Sequence, residues 1–270
     1  VRYAICNETF EGWEHARACA RAAELGYTGL ELAPFTLGAR ITDVSAARRS
    51  ELRRQAEAAG LRVVGLHWLL ARTEGLHLTS ADPTVRRRTG VYLAELAHAA
   101  AEMGGDVLVL GSPAQRHLPS GMSREEGEAN ALDTLRHCLP ALERDRVFLC
   151  LEPLTPAETN FLTSAAEAVA LARRLDHPFV KLHLDVKAMA AEAEPTPDVI
   201  RASREFLHHF HANDPNRRGP GFGATDFKPI FHALRDVNYS GWVSVEVFDY
   251  SPDPDTIARE SIRYMRECEA

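Results

Sequence analysis

Eight short runs of β-branched, aromatic and leucine residues recur along the chain, each followed by a stretch rich in Ala, Leu and Arg. They read RYAIC (2–6), TGLELA (28–33), RVVGLHW (62–68), DVLVLG (106–111), RVFLCLE (146–152), FVKLHLD (179–185), LHHFHA (207–212) and WVSVEV (242–247). Apolar runs this short, set between helix-forming segments, are the pattern of parallel strands buried on both faces. Helix punctuation falls between them. Ser123 with Glu126 and Ser164 with Glu167 have capping-box spacing. Asp82-Pro83 and Asp253-Pro254 set a cap residue before a proline at the first helical position. Gly26, Gly60, Gly104 and Gly241 stand where a helix must stop before the next strand. Eight strand–helix units of about 30 residues predict an α/β chain folded as a single (β/α)₈ TIM barrel, with one domain over residues 1–270. A doubly wound sheet is the rival. It usually has fewer strands, and no GxGxxG follows the first run.

A barrel gathers the C-terminal ends of its strands at one mouth. The last polar residues of the four late runs are Glu152, Asp185, His211 and Glu246, separated by 33, 26 and 35 residues. Each gap is close to one strand–helix unit. Alternation along a strand turns Glu152 and Cys150 inward and Leu151 outward. A carboxylate at the tip of a buried strand is costly to desolvate without a partner. One such acid is ordinarily a hydrogen-bond acceptor for a loop. Three carboxylates and an imidazole aimed at one centre would instead raise one another's pKa values, and a divalent cation relieves that repulsion. These four are the predicted metal ligands. Their mostly oxygen donor set favours one Mn²⁺ or Mg²⁺ per chain, with Co²⁺ or Zn²⁺ as alternatives.

Other polar residues gather at the same mouth. His67 has inward parity and is expected to contact substrate or support a ligand. Glu31 is expected to orient His67 or bind a substrate hydroxyl, and Asn7 and Glu8 are weaker candidates. Trp68 reads as packing, while His183 and His209 lie one layer below two of the ligands. Asp214 either touches substrate or shapes a turn, and the Gly-rich loop 217–227 reads as a tight loop holding Arg217 over the site, the alternative being a phosphate-holding loop before a helix.

The chain carries 31 basic against 38 acidic residues, a net charge of -7. That balance gives no support to a nucleic-acid or membrane partner. Five scattered cysteines without CxxC spacing read as reduced thiols. No apolar run approaches a membrane span of about 18 residues, and no signal-peptide pattern opens the sequence, so a cytoplasmic protein is expected.

The segments LEPLTPAETNF, HLDVKAM, HFHANDPNRRGPGFG and GWVSVEVF resemble the xylose-isomerase-like sugar (phosphate) isomerase/epimerase superfamily, above all the ketose (tagatose/psicose) 3-epimerases. The resemblance implies one metal, usually Mn²⁺, at Glu152, Asp185, His211 and Glu246. It implies Glu152 and Glu246 as the catalytic acid/base pair, and Glu158 and Arg217 as holders of substrate oxygens. A homodimer or homotetramer is implied as well. One position departs: those epimerases place a substrate-contacting histidine three residues after the aspartate, where Ala188 stands. Lys187 beside it points with Asp185 if the strand stays extended. It is then expected to contact a substrate oxygen and favour an acidic or oxidised sugar, the alternative being a solvated lysine.

The expected activity is isomerisation or epimerisation of a ketose or keto-sugar derivative by proton transfer through a metal-stabilised enediolate. Two glutamates flanking one carbon would epimerise it, and one carboxylate moving a proton between neighbouring carbons would isomerise. Two alternatives stand beside this: an apurinic-endonuclease-like multi-zinc phosphodiesterase and a non-catalytic sugar-binding barrel. The first needs further histidines where Gly111-Ser112 and Ala188 occur. The second would be expected to have lost a ligand, and all four are here.

Overall fold

All eight runs form strands in a computed structural model that describes residues 1–270. The strands are β1 (Arg2–Cys6), β2 (Gly29–Leu32), β3 (Arg62–Leu66), β4 (Val107–Leu110), β5 (Phe148–Leu151), β6 (Val180–Asp185), β7 (Leu207–Ala212) and β8 (Trp242–Val245). Each pairs in parallel with the next, and β8 closes on β1 through Arg2↔Trp242 to Ile5↔Val245. Helices fill the intervals, so the chain is the expected (β/α)₈ barrel. No helix is long and apolar enough to cross a membrane.

Side-chain alternation divides the apolar residues into two unequal cores. Outward-facing Leu149, Leu151, Leu182, Leu184, Val243 and Val245 join a cluster of 67 buried residues between strands and helices. Inside the barrel the apolar cluster has six members: Ala4, Val64, Val107, Val109, Cys150 and Trp242. Hydrophobic stabilisation therefore comes mainly from the helix–sheet layer, where truncating one buried leucine costs about 2–5 kcal/mol. That leaves the upper interior free for polar groups. At Gly65 an added Cβ would lie 1.9 Å from the Val107 carbonyl oxygen, so only glycine lets β3 approach β4 this closely. Register shifts at Leu30/Glu31 and Leu182/His183 each precede an inward-facing polar residue, a common use of a strand irregularity.

The helix caps follow the expectation with two adjustments. Backbone N–H groups donate to the side chains of Asp82, Ser123, Ser164 and Asp253. The Glu167 carboxylate accepts from the Thr163 N–H at 2.8 Å, one residue before its expected partner. Gly26, Gly60 and Gly104 adopt positive φ after their helices, but Gly241 does not. Helix Lys228–Asp236 instead stops at Val237, with Asn238 left-handed, and Gly241 makes room for the Tyr239 ring, which a Cβ would meet at 2.5 Å.

Candidate active site and metal centre

The strand ends of the second half bring three of the four predicted ligands together, with His183, read from sequence as lying one layer below, joining them. Glu152, Asp185, His211 and His183 form a fully buried group whose ligand atoms all lie within 4.8 Å of one another. Glu246 borders this group, with Oε2 3.2 Å from His211 Nδ1. Its Oε1 accepts from Trp68 Nε1 at 2.8 Å and lies 3.4 Å from His67 Nδ1. Asp185 caps the short helix Val186–Met189, accepting from the Ala188 N–H at 2.8 Å and from Asn213 Nδ2 at 2.5 Å. Asn213 in turn accepts from the Lys187 N–H at 2.9 Å, which ties the end of β7 to the end of β6.

Burial and crowding set the electrostatics. Burial, then Glu246 and Asp185, pushes Glu152 up to about 8. Burial and Glu246 push Asp185 up to about 6. For Glu246 burial works in the same direction, but His211 and His67 outweigh it and hold the carboxyl well below the usual range. His183 is driven well below the usual imidazole range by burial and by His211 and His209. Neither of its ring nitrogens has a hydrogen-bond partner. Two repelling buried carboxylates and a neutral imidazole with a lone pair to give are a donor set that fits a divalent cation.

The first half of the barrel supports this centre from below. Glu31 accepts from His209 Nε2 at 2.9 Å and contacts His211 Nε2 at 3.1 Å, rather than orienting His67 or facing a substrate. His67 instead meets Glu8 Oε2 through Nε2 at 3.0 Å. Cys6 lies among them, 3.4 Å from His67 Nδ1 and 3.5 Å from Ser244 Oγ. Arg116 is an addition that its loop sequence does not advertise. Fully buried, it donates through Nη1 to the Glu152 carbonyl at 2.6 Å and through Nη2 to the Leu110 carbonyl. It thereby ties the ends of β4 and β5, and burial pushes its guanidinium down to about 10. Gly111 faces Glu152 so closely that a Cβ there would lie 1.5 Å from Oε2.

An inner chamber of about 20 Å³ opens above the cluster, lined by His67, Trp68, Glu152, Glu158, Lys187 and Glu246 among others. Lys187 reaches it by a different route from the one expected. β6 ends at Asp185, and Lys187 extends from the helix that follows. Its Nζ donates to Glu158 Oε1 at 2.8 Å, and its side chain is 12% exposed, so it is neither solvated nor unpaired. Arg217 lies outside the inner chamber. It is exposed, left-handed at φ 72, and lines an outer cavity of about 360 Å³ with Phe35, Trp68, Arg72 and Tyr250. Asp214 shapes this loop, its carbonyl accepting from the Arg217 N–H at 2.8 Å and its carboxylate from the Thr225 N–H at 3.2 Å. The Arg217 carbonyl accepts from the N–H groups of Phe248 and Asp249, both at 2.9 Å, joining the loops after β7 and β8.

A family model described as xylose isomerase-like TIM barrel matches residues 19–268. The D-psicose 3-epimerase of Ruminiclostridium cellulolyticum is 26% identical over 252 residues, covering 92% of this chain and 83% of that protein. The 3-dehydro-D-guloside 4-epimerase of Escherichia coli is 29% identical over 190 residues, covering 68% of this chain and 72% of that protein. A crystal structure of D-psicose 3-epimerase in the presence of D-fructose superposes with a TM-score of 0.89 at 23% identity, over 100% of this chain and 99% of the other. At that identity the likeness establishes the fold.

Proposed function

The chain belongs to the xylose isomerase-like TIM barrel family, and on that premise we propose that it is a divalent-metal-dependent sugar epimerase acting on a ketose or keto-sugar. Both similar proteins are named as epimerases, one of a free ketose and the other of a keto-glycoside. Glu152, Asp185, His211 and Glu246 would hold one Mn²⁺, with His183 as the nearest further imidazole. When bound, the metal supplies a Lewis acid that polarises a carbonyl and makes the neighbouring C–H more acidic.

The remaining work falls to the chain's own side chains. Glu152 and Glu246 line one chamber from β5 and β8, and this pairing is the observation that carries the proposal. In the metal-free site His211 and His67 hold Glu246 well below the usual carboxylate range, whereas burial raises Glu152. Two carboxylates whose surroundings push their proton affinities apart are suited to opposite roles. Glu246 takes the proton from the substrate carbon, and Glu152 returns one from the other side. The reverse reaction exchanges the two roles. Trp68 fixes Glu246 through its indole N–H. Lys187 and Glu158 offer an ammonium and a carboxylate as a neutral pair, which hydrogen-bonds hydroxyls and removes the reason to favour an acidic sugar.

The test is solvent deuterium incorporation at the carbon beside the carbonyl, measured on Mn²⁺-loaded protein with ketoses and keto-glycosides. Incorporation with inversion supports the reading. Its absence from every compound, with all metal sites filled, would reject it.

A further inference from the structure

The inner chamber is small for a whole sugar. Its free space of about 20 Å³ is little more than one water molecule needs. The outer cavity offers about 360 Å³, within the range that holds small-molecule ligands. Trp68, Pro113 and Phe248 line both, so the two are consecutive parts of one cleft.

The outer part is built from aromatic faces. Phe35 meets Trp68 edge-on with centroids 6.5 Å apart, and Trp68 meets Phe248 at 6.1 Å. With Tyr250 these side chains are half-buried. Backbone strain gathers at the same place. Seven non-glycine residues have positive φ, and three of them, Trp68, Arg72 and Arg217, line this cavity. Arg146, Asp176 and Asn238 follow helices, where a left-handed residue is a common terminator. The cavity residues cap no helix. Strain of this kind persists where surrounding structure enforces it, often at ligand sites.

We propose that the outer cavity is a second sugar subsite, and that the preferred substrate is a keto-sugar joined through a glycosidic oxygen to a further ring. The inference rests on the epimerase reading of the inner chamber. The C–H face of a pyranose packs on aromatic rings, and the hydroxyls at its edge hydrogen-bond. Phe35, Phe248 and Tyr250 supply the rings, and Arg72, Gln115 and Arg217 supply donors, Arg72 with its guanidinium 4.2 Å from the centre of the Phe35 ring. The reacting carbons then occupy the chamber between Glu152 and Glu246, and the second ring lies beyond Trp68.

Matched pairs of substrates test this on the Mn²⁺-loaded protein. Deuterium exchange is measured for D-fructose against isomaltulose, for methyl 3-keto-glucoside against 3-ketosucrose, and for D-fructose 6-phosphate. The two-ring member of at least one pair should show kcat/KM roughly tenfold higher, the scale of a good stacking contact. Phe35→Ala and Tyr250→Ala, each checked for an unchanged melting temperature, should remove that gain while holding the one-ring compounds within about twofold. Equal efficiency in both pairs, a preference for the phosphate over both two-ring compounds, or full retention of the gain in both variants would overturn the proposal. If no compound exchanges, the epimerase reading fails instead. Calorimetry with 3-ketosucrose on wild type and Phe35→Ala then decides the subsite alone, since binding unaffected by the substitution, or no binding, rejects it.

Discussion

The two halves of the barrel use buried ionisable groups in opposite ways. On β5 to β8, Glu152, Asp185, His183 and His211 converge, and two of the carboxylates hold protons more tightly than usual. On β1 to β3, each such group is absorbed by a partner: Glu31 by His209 and His211, and His67 by Glu8 and Glu246. The first half is built mainly of paired groups, whereas the second half is a crowded donor set whose repulsion a cation would relieve. The difference shows how a ligand cluster is oriented. With Nε2 of His211 engaged by Glu31, its Nδ1 is the nitrogen that faces Glu246. A carboxylate behind a metal-ligating imidazole sets its tautomer and raises its basicity.

If this division holds, effects should fall off from the second half to the first. Exhaustive chelation should abolish turnover, and metal analysis should find one divalent ion per chain. Activity that survives chelation, or three zinc ions per chain, would erase the distinction. Glu152→Gln and Glu246→Gln should each lower the exchange rate by about 10² to 10⁴-fold, with at least one variant still binding metal. A near-normal rate in either would remove that glutamate from the acid/base pair. Crossing to the supporting half, Glu31→Gln should weaken metal binding by about 10 to 100-fold in a titration of the folded apoprotein. An unchanged affinity would make Glu31 a packing residue.

Arg217→Ala should raise KM by roughly tenfold with metal content unchanged. Loss of metal in that variant would show that the loop props up the ligands. The smallest effect concerns pH. In metal-free protein, Glu152 titrates at about 8, and His67 and His211 titrate well above the usual imidazole range, each held up by facing carboxylates against the opposing effect of burial. The folded state therefore binds more protons than the unfolded chain between pH 7 and 9, so its stability falls as pH rises. Melting temperature should drop across that window, Glu152 alone accounting for about 1.4 kcal/mol of lost stability. Mn²⁺ should offset the drop. A flat profile without metal would show that the second half is already compensated.

The same division governed what could be read from sequence. The convergence of Glu152, Asp185 and His211 was legible because each strand contributes a polar residue at its end and unit spacing aligns them, whereas His183 was read one layer too low. The supporting half was not legible. Glu31 lies 178 residues from His209 and 180 from His211, and which imidazole it meets depends on cross-barrel register, including the shift at Leu30/Glu31. Arg116 carries no local signal, because a lone arginine in a polar loop reads as surface. Lys187 was aimed by strand parity, a rule that lapsed once Asp185 began capping a helix. Gly241 met the pattern of a helix stop, yet Asn238 had already taken the left-handed turn.

Gly111 bears on the history open to this scaffold. The carboxylate of Glu152 fills the space that a side chain at position 111 would occupy. A multi-zinc descendant would need a ligand at the end of β4, and installing one displaces the glutamate on which present activity is proposed to depend. The first substitution on that route would thus erase the old trade before the new one began. Divergence from this chain toward such chemistry therefore calls for a duplicated copy, free of selection for epimerisation, in which positions 111 and 152 change together.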